Sequence, residues 1–158
     1  MKQELDALLC ERYPKIMVNR NKDMKETCMC WGFECRDGWF NILDQLMGNI
    51  QHHIDWNLRQ RQVAIDYNSK TTPESMRKVP ELVPQVTLDQ VKEKFGTLRF
   101  YYTGGDNYID GMVRMAESMS SVVCEECGAP GQRRGGGWIY TACDAHTKPE
   151  HLTEQEEV

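Results

Sequence analysis

Four soft metal ligands fall in two close pairs near the C-terminus, Cys124-x2-Cys127 and Cys143-x2-His146, with fifteen residues between the pairs. Three thiolates and an imidazole at this spacing suit one tetrahedral zinc ion. A Cys-x2-Cys turn can aim two sulfurs at one point, and Gly128 directly after Cys127 frees the backbone for that turn. The spacing from Cys143 to His146 suits the first turn of a helix, and Gly131, Gly135, Gly136 and Gly137 allow the intervening chain to make an excursion. Four protein ligands leave no position for water or substrate, so the expected role of the metal is structural. A deaminase-type catalytic zinc would need a His-x-Glu pair upstream, and the sequence has none.

The rest of the chain has to supply a core for this module. With 158 residues, 40% hydrophobic and 27% charged, it has the size and composition of one globular domain, or of a body with a small metal module attached. The expected class is α+β, with a body over residues 1–122, the zinc module over 123–147 and a polar tail over 148–158. A formal charge of −5 argues against a general nucleic-acid binder, which needs clustered Lys and Arg to neutralise phosphates. Met1-Lys2-Gln3-Glu4-Leu5-Asp6 lacks the apolar stretch of a secretion signal, and no apolar run approaches the ~20 residues needed to span a bilayer. The expectation is a cytoplasmic protein, whose cysteines are ligands or free thiols rather than disulfides.

Hydrophobic spacing gives the elements. Leu5, Leu8 and Leu9 mark a short helix over 2–12 that Pro14 stops. Asp37 is placed to cap the principal helix, in which Trp39, Ile42, Leu43, Leu46, Met47, Ile50, Ile54 and Leu58 recur at three- and four-residue intervals. Gly48 within it suggests a close helix crossing. From about 59 to 86 the periodicity fades, and Pro73, Pro80 and Pro84 predict an irregular loop, a natural place for a partner contact. Thr87-Leu88-Asp89-Gln90 has the form of a capping box, predicting a short helix through Phe95 that Gly96 ends. A strand over 97–102, a turn at 104–107 with Asp106 as a cap, a second amphipathic helix over 108–122 and a short strand over 138–141 complete the reading.

Other constellations are weaker. Cys28, Cys30 and Cys35, with His52 or His53 as a further ligand, do not have a zinc spacing and read as ordinary thiols. Adjacent histidines on a helix point about 100° apart, so His52 and His53 read as surface or structural residues. Asp55, Asp66, Asp106 and Asp110 read as scattered carboxylates rather than a magnesium site. Arg99, Tyr101 and Tyr102 on an aromatic strand, with Arg133 and Arg134 on the metal-module loop, form a candidate nucleotide or nucleic-acid surface.

Three blocks stand out together: Glu34-Cys35-Arg36-Asp37-Gly38-Trp39-Phe40; Val91-Lys92-Glu93-Lys94-Phe95-Gly96-Thr97-Leu98-Arg99-Phe100-Tyr101; and Cys124-Glu125-Glu126-Cys127-Gly128 with Trp138-Ile139-Tyr140-Thr141-Ala142-Cys143-Asp144-Ala145-His146. In these blocks the chain resembles a family of small proteins encoded by tailed bacteriophages and prophages. It departs from the family at Arg36, where a glycine is frequent. The resemblance implies expression in the cytoplasm of an infected bacterium and action on host machinery, and it transfers no catalytic residue. The expected function is a non-enzymatic binding protein with a structural zinc, acting on a host bacterial protein, such as one of antiviral defence. The alternative is a zinc protein that binds nucleic acid or a nucleotide.

Overall fold

The computed structural model describes residues 1–151; the 152–158 part of the expected tail lies outside the described residues. The architecture is α+β. Helix α1 (Gln3–Arg12) leads through irregular chain to a two-residue strand β1 (Phe33–Glu34). The long helix α2 (Phe40–Asn68) follows, then strands β2 (Thr87–Lys94) and β3 (Thr97–Thr103), and helix α3 (Asn107–Ser120). Strands β4 (Gln132–Arg134) and β5 (Tyr140–Ala142) form a separate antiparallel ribbon in the metal module.

The main sheet has the order β1-β2-β3, with β1 parallel and β3 antiparallel to β2. Its inner face meets α2 and α3 in one core that includes Trp39, Leu43, Met47, Ile50, Leu88, Val91, Leu98, Phe100 and Ile109. Burying a Leu, Ile or Phe side chain contributes roughly 1.5–3 kcal/mol, so this sheet-on-helix layer is the main source of stability.

The expected helix over 87–95 is instead strand β2. Its two apolar residues, Leu88 and Val91, are three apart, which imitates a helical face. The sheet register shifts between Leu88 and Gln90, and this bulge brings both side chains to the buried face. Phe95 and Gly96, both at positive φ (54° and 76°), then form the two-residue turn to β3. Gly96 thus closes a hairpin rather than ending a helix.

Helix α2 runs ten residues beyond Leu58, into the stretch expected to be irregular. The chain after it returns along the helix as an extended strap. Asn68 exchanges two hydrogen bonds with the backbone of Arg77, at 2.8 and 2.9 Å. Arg61 donates to the Pro80 carbonyl, and Asn57 bonds Glu81 and Val83 at 2.8 and 3.0 Å. Gln51 meets Gln85 at 2.9 Å. Seventeen residues of helix and eight of extended chain both span about 25 Å, which is why the prolines fit beside α2.

Two further expectations are revised. Asp37 does not cap α2, which begins at Phe40 without a side-chain cap. Its carboxylate accepts the Lys2 amide at 2.7 Å and pairs with the Lys2 ammonium, which hold it below the usual carboxylate range. The group that approaches Gly48 is the Tyr13 phenol, 3.1 Å from where a Cβ would stand, and not another helix. Asp106 does cap α3, accepting from the Ile109 amide at 3.0 Å.

Candidate metal centre

The knuckle Cys124–Cys127 follows α3 after a short turn, and its backbone is tightly specified. The Cys124 amide donates to Ala129 O and the Gly128 amide to Cys124 O, both at 2.8 Å. Gly128 sits at φ +77°, the left-handed conformation that a turn this tight demands. The second pair is delivered by β5, after which Asp144–His146 makes a single helical turn closed by His146 N to Cys143 O at 3.0 Å.

The four donor atoms lie within 4.8 Å of one another. Cys127 Sγ to Cys143 Sγ is 3.8 Å, Cys124 Sγ to His146 Nδ1 is 3.7 Å and Cys143 Sγ to His146 Nδ1 is 3.2 Å. A tetrahedron with metal–sulfur bonds near 2.3 Å and a metal–nitrogen bond near 2.05 Å has sulfur–sulfur edges of about 3.8 Å and sulfur–nitrogen edges of about 3.6 Å. The donors therefore fit a single tetrahedral metal ion. Among the described residues, no second cluster of three or more such donors occurs.

Electrostatics favour a cation at this point. Burial raises the Cys124 thiol, but amides of Cys143, Cys127 and Glu126 directed at its sulfur outweigh that and hold it down at about 7. For Cys127 the Ala129 amide acts downward, yet burial and the neighbouring thiols Cys124 and Cys143 outweigh it and raise the group. One thiolate forms readily and opposes the next. A divalent ion removes that opposition, and its uptake releases protons.

The module is docked against the body at a place that ligand spacing does not reveal. A Cβ on Gly38 would stand 2.2 Å from Cys124 O, 2.5 Å from Glu125 O and 2.5 Å from Gly128 N, so only glycine fits beneath the knuckle. The Gly38 amide donates to Glu125 O at 2.7 Å, and the Trp39 indole donates to Val123 O at 2.9 Å. On the other side Thr141 Oγ1 donates to Gly96 O in the β2–β3 turn. A glycine before a tryptophan at a helix start is the one sequence signal that could have indicated this contact.

The remaining candidates are dispersed. Arg99 and Tyr101 lie on the outer face of β3, where Lys92 pairs across from Arg99 and sits 5.4 Å from the Tyr101 ring. Tyr102 faces the opposite side, packs on the core and donates to Asp110. Arg133 reaches Phe95 O at 3.2 Å, whereas Arg134 is buried and pairs with Asp144 beside the ligand Cys143. The five residues expected to form one surface are thus split, and Arg134 belongs to the scaffold of the metal module.

Cys28 is exposed, Cys30 donates to Thr27 O at 3.2 Å, and Cys35 is buried, its thiol pushed up to about 12 by burial. His52 is exposed, while His53 Nε2 lies 2.9 Å from Asp106 and its ring stacks on Tyr108, tying α2 to the start of α3. Asp55 pairs with Lys15 at 3.1 Å and Asp110 accepts from Tyr102, so the four aspartates serve separate local contacts. Thr147 is buried and bonds Cys143 O at 2.8 Å, and Pro149–His151 forms a turn in which His151 meets the Tyr140 hydroxyl at 2.9 Å. The first part of the polar tail is therefore tied to the metal module as far as His151. No described helix is long and apolar enough to cross a membrane.

No protein-family model, no curated protein and no solved structure matches the chain.

Proposed function

We propose that this chain is a phage-encoded, non-enzymatic binding protein, stapled by a structural zinc ion, that engages a host bacterial protein in the cytoplasm. Three thiolates and an imidazole are the donor set that zinc favours, and they occupy all four positions of its tetrahedron. The observation that carries the binding role is a groove of about 660 Å³ between α2 and α3. Ile42 and Leu46 form its floor, and Met112, Met115 and Met119 line it, with Met115 64% exposed. Unbranched, polarisable methionines on an open surface suit recognition of an apolar partner.

The occupant this groove fits is an amphipathic helix of the host protein. Two adjacent helices leave room for a third, and the polar residues along the groove are Asn41, Gln45, Asn49 and Asn107, with no charged side chain among its lining. Met115→Asp and Met119→Asp place charge in the groove without touching the core. Wild-type protein should recover one stoichiometric host protein from bacterial lysate, and the double variant should lose it at unchanged melting temperature. Recovery of no stoichiometric partner, or equal recovery by the variant, refutes the reading.

A second reading has its own support. Lys92, Lys94 and Arg99 share the outer face of the main sheet with Tyr101, an arrangement of cations and an aromatic ring that suits a nucleic-acid strand or a nucleotide. Affinity for a single-stranded oligonucleotide that falls steeply with salt, and is lost on Lys92→Ala with Arg99→Ala, would support it. Absence of binding at low salt would remove it.

A further inference from the structure

The C-terminal half of α2 leaves the core. After Ile54 only Ala64 is buried, and the strap covers one side of the helix through Asn57, Arg61 and Asn68. The result is an arm roughly 20 Å long, from Asp55 to Asn68. Beside the strap, about a quarter-turn away, it presents a stripe in which Trp56 and Val63 are each 53% exposed, with half-buried Gln60 between them and Tyr67 beyond, its ring carrying the Arg77 guanidinium of the strap at 3.8 Å.

The spacing of that stripe is four, three and four residues, the repeat of a two-helix seam. The charges beside it are specific. Arg59 and Asp66, both exposed, flank the stripe on the same side, seven residues apart. When two such helices run antiparallel about a two-fold axis, residues on the same flank face each other. Trp56 then meets Tyr67 of the other copy, Gln60 meets Val63, and Arg59 comes opposite Asp66 twice by symmetry. In a parallel pair this flank would not face itself. Arg59 now lies over the Trp56 ring at 5.8 Å, and Asp66 accepts one bond from Gln62 at 2.8 Å, which leaves its other oxygen for a partner.

We propose that the arm is a self-association surface, and that its occupant is the arm of a second copy of this chain, antiparallel and held in register by reciprocal Arg59–Asp66 pairs. This goes beyond the host-protein reading and uses a different surface. Sedimentation of the full chain over three decades of concentration tests it. The wild type should pass from monomer to dimer. Arg59→Asp or Asp66→Arg alone turns two attractions into two repulsions and should raise the dissociation constant about tenfold or more. The combined Arg59→Asp/Asp66→Arg variant should restore the dimer. Both substitutions lie on exposed helix, so circular dichroism of all three variants should be unchanged. A chain that stays monomeric throughout overturns the proposal, as does a dimer indifferent to the single reversals or not rescued by the double. A dimer lost on Met115→Asp but not on Arg59→Asp would also overturn it, because it would place the contact in the α2–α3 groove.

Discussion

Replacing Gly38 by alanine tests how the metal module is joined to the body. The added carbon would stand 2.2 Å from one backbone oxygen and 2.5 Å from two further backbone atoms of the knuckle, none of which can rotate away. Restoring ordinary contact requires a separation of about 1 Å, an overpacking strain that typically costs 1–3 kcal/mol. Such a shift also breaks or lengthens the bonds from the Gly38 amide to Glu125 O and from the Trp39 indole to Val123 O, each contributing about 1 kcal/mol. A loss of about 3 kcal/mol lowers the melting temperature of a chain this size by roughly 6–12 °C. The four ligands all lie on the module's side of the contact, so metal content should stay at one ion per chain. Gly136→Ala, where no atom lies within 4 Å of the new carbon, is the control and should leave melting unchanged. Equal melting of Gly38→Ala and wild type would refute the docking contact, and loss of metal would refute its separation from the ligand sphere.

Cys127→Ser removes one vertex of the tetrahedron and should release the ion, read by elemental analysis, with loss of protection in amide exchange over 123–147. Gly111→Ala should raise the melting temperature by roughly 2–4 °C, since it lies in α3 with open space around it and glycine costs about 1 kcal/mol against alanine in a helix. Burial acts to raise the Asp106 carboxyl, but bonds from His53 and the Ile109 amide outweigh it and hold the group below its usual range. Its contribution is therefore present above an unfolded value of about 3.9 and is lost as pH falls through the lower folded value. Asp106→Ala should cost about 1 kcal/mol in urea melts near neutral pH, and the gap from wild type should close at acid pH.

The sequence was most readable where one local pattern determines the answer. Ligand spacing alone brought Cys124, Cys127, Cys143 and His146 together, and the capping role of Asp106 followed from its place before an apolar repeat. Helix α1 and strand β3 were equally local. The β2 strand was not, because its bulge sets Leu88 and Val91 three apart, the interval of a helix. The end of α2 was hidden for a different reason: its last turns are supported by hydrogen bonds to the strap rather than by buried apolar residues, so no hydrophobic period marks them. Arg134 looked like a surface cation because sequence cannot show that it is buried and paired with Asp144, just beyond the end of β5. Contacts across the whole chain, such as Gly38 under the knuckle, depend on tertiary geometry that spacing does not encode.

X-ray absorption at the zinc edge, on protein purified without added chelator and counted for metal, examines the centre most directly. The expected result is one zinc per chain with three sulfur neighbours near 2.3 Å and one nitrogen near 2.05 Å. Protein that folds with no bound metal, or a sphere in which an exchangeable water replaces a cysteine or the histidine, would contradict it.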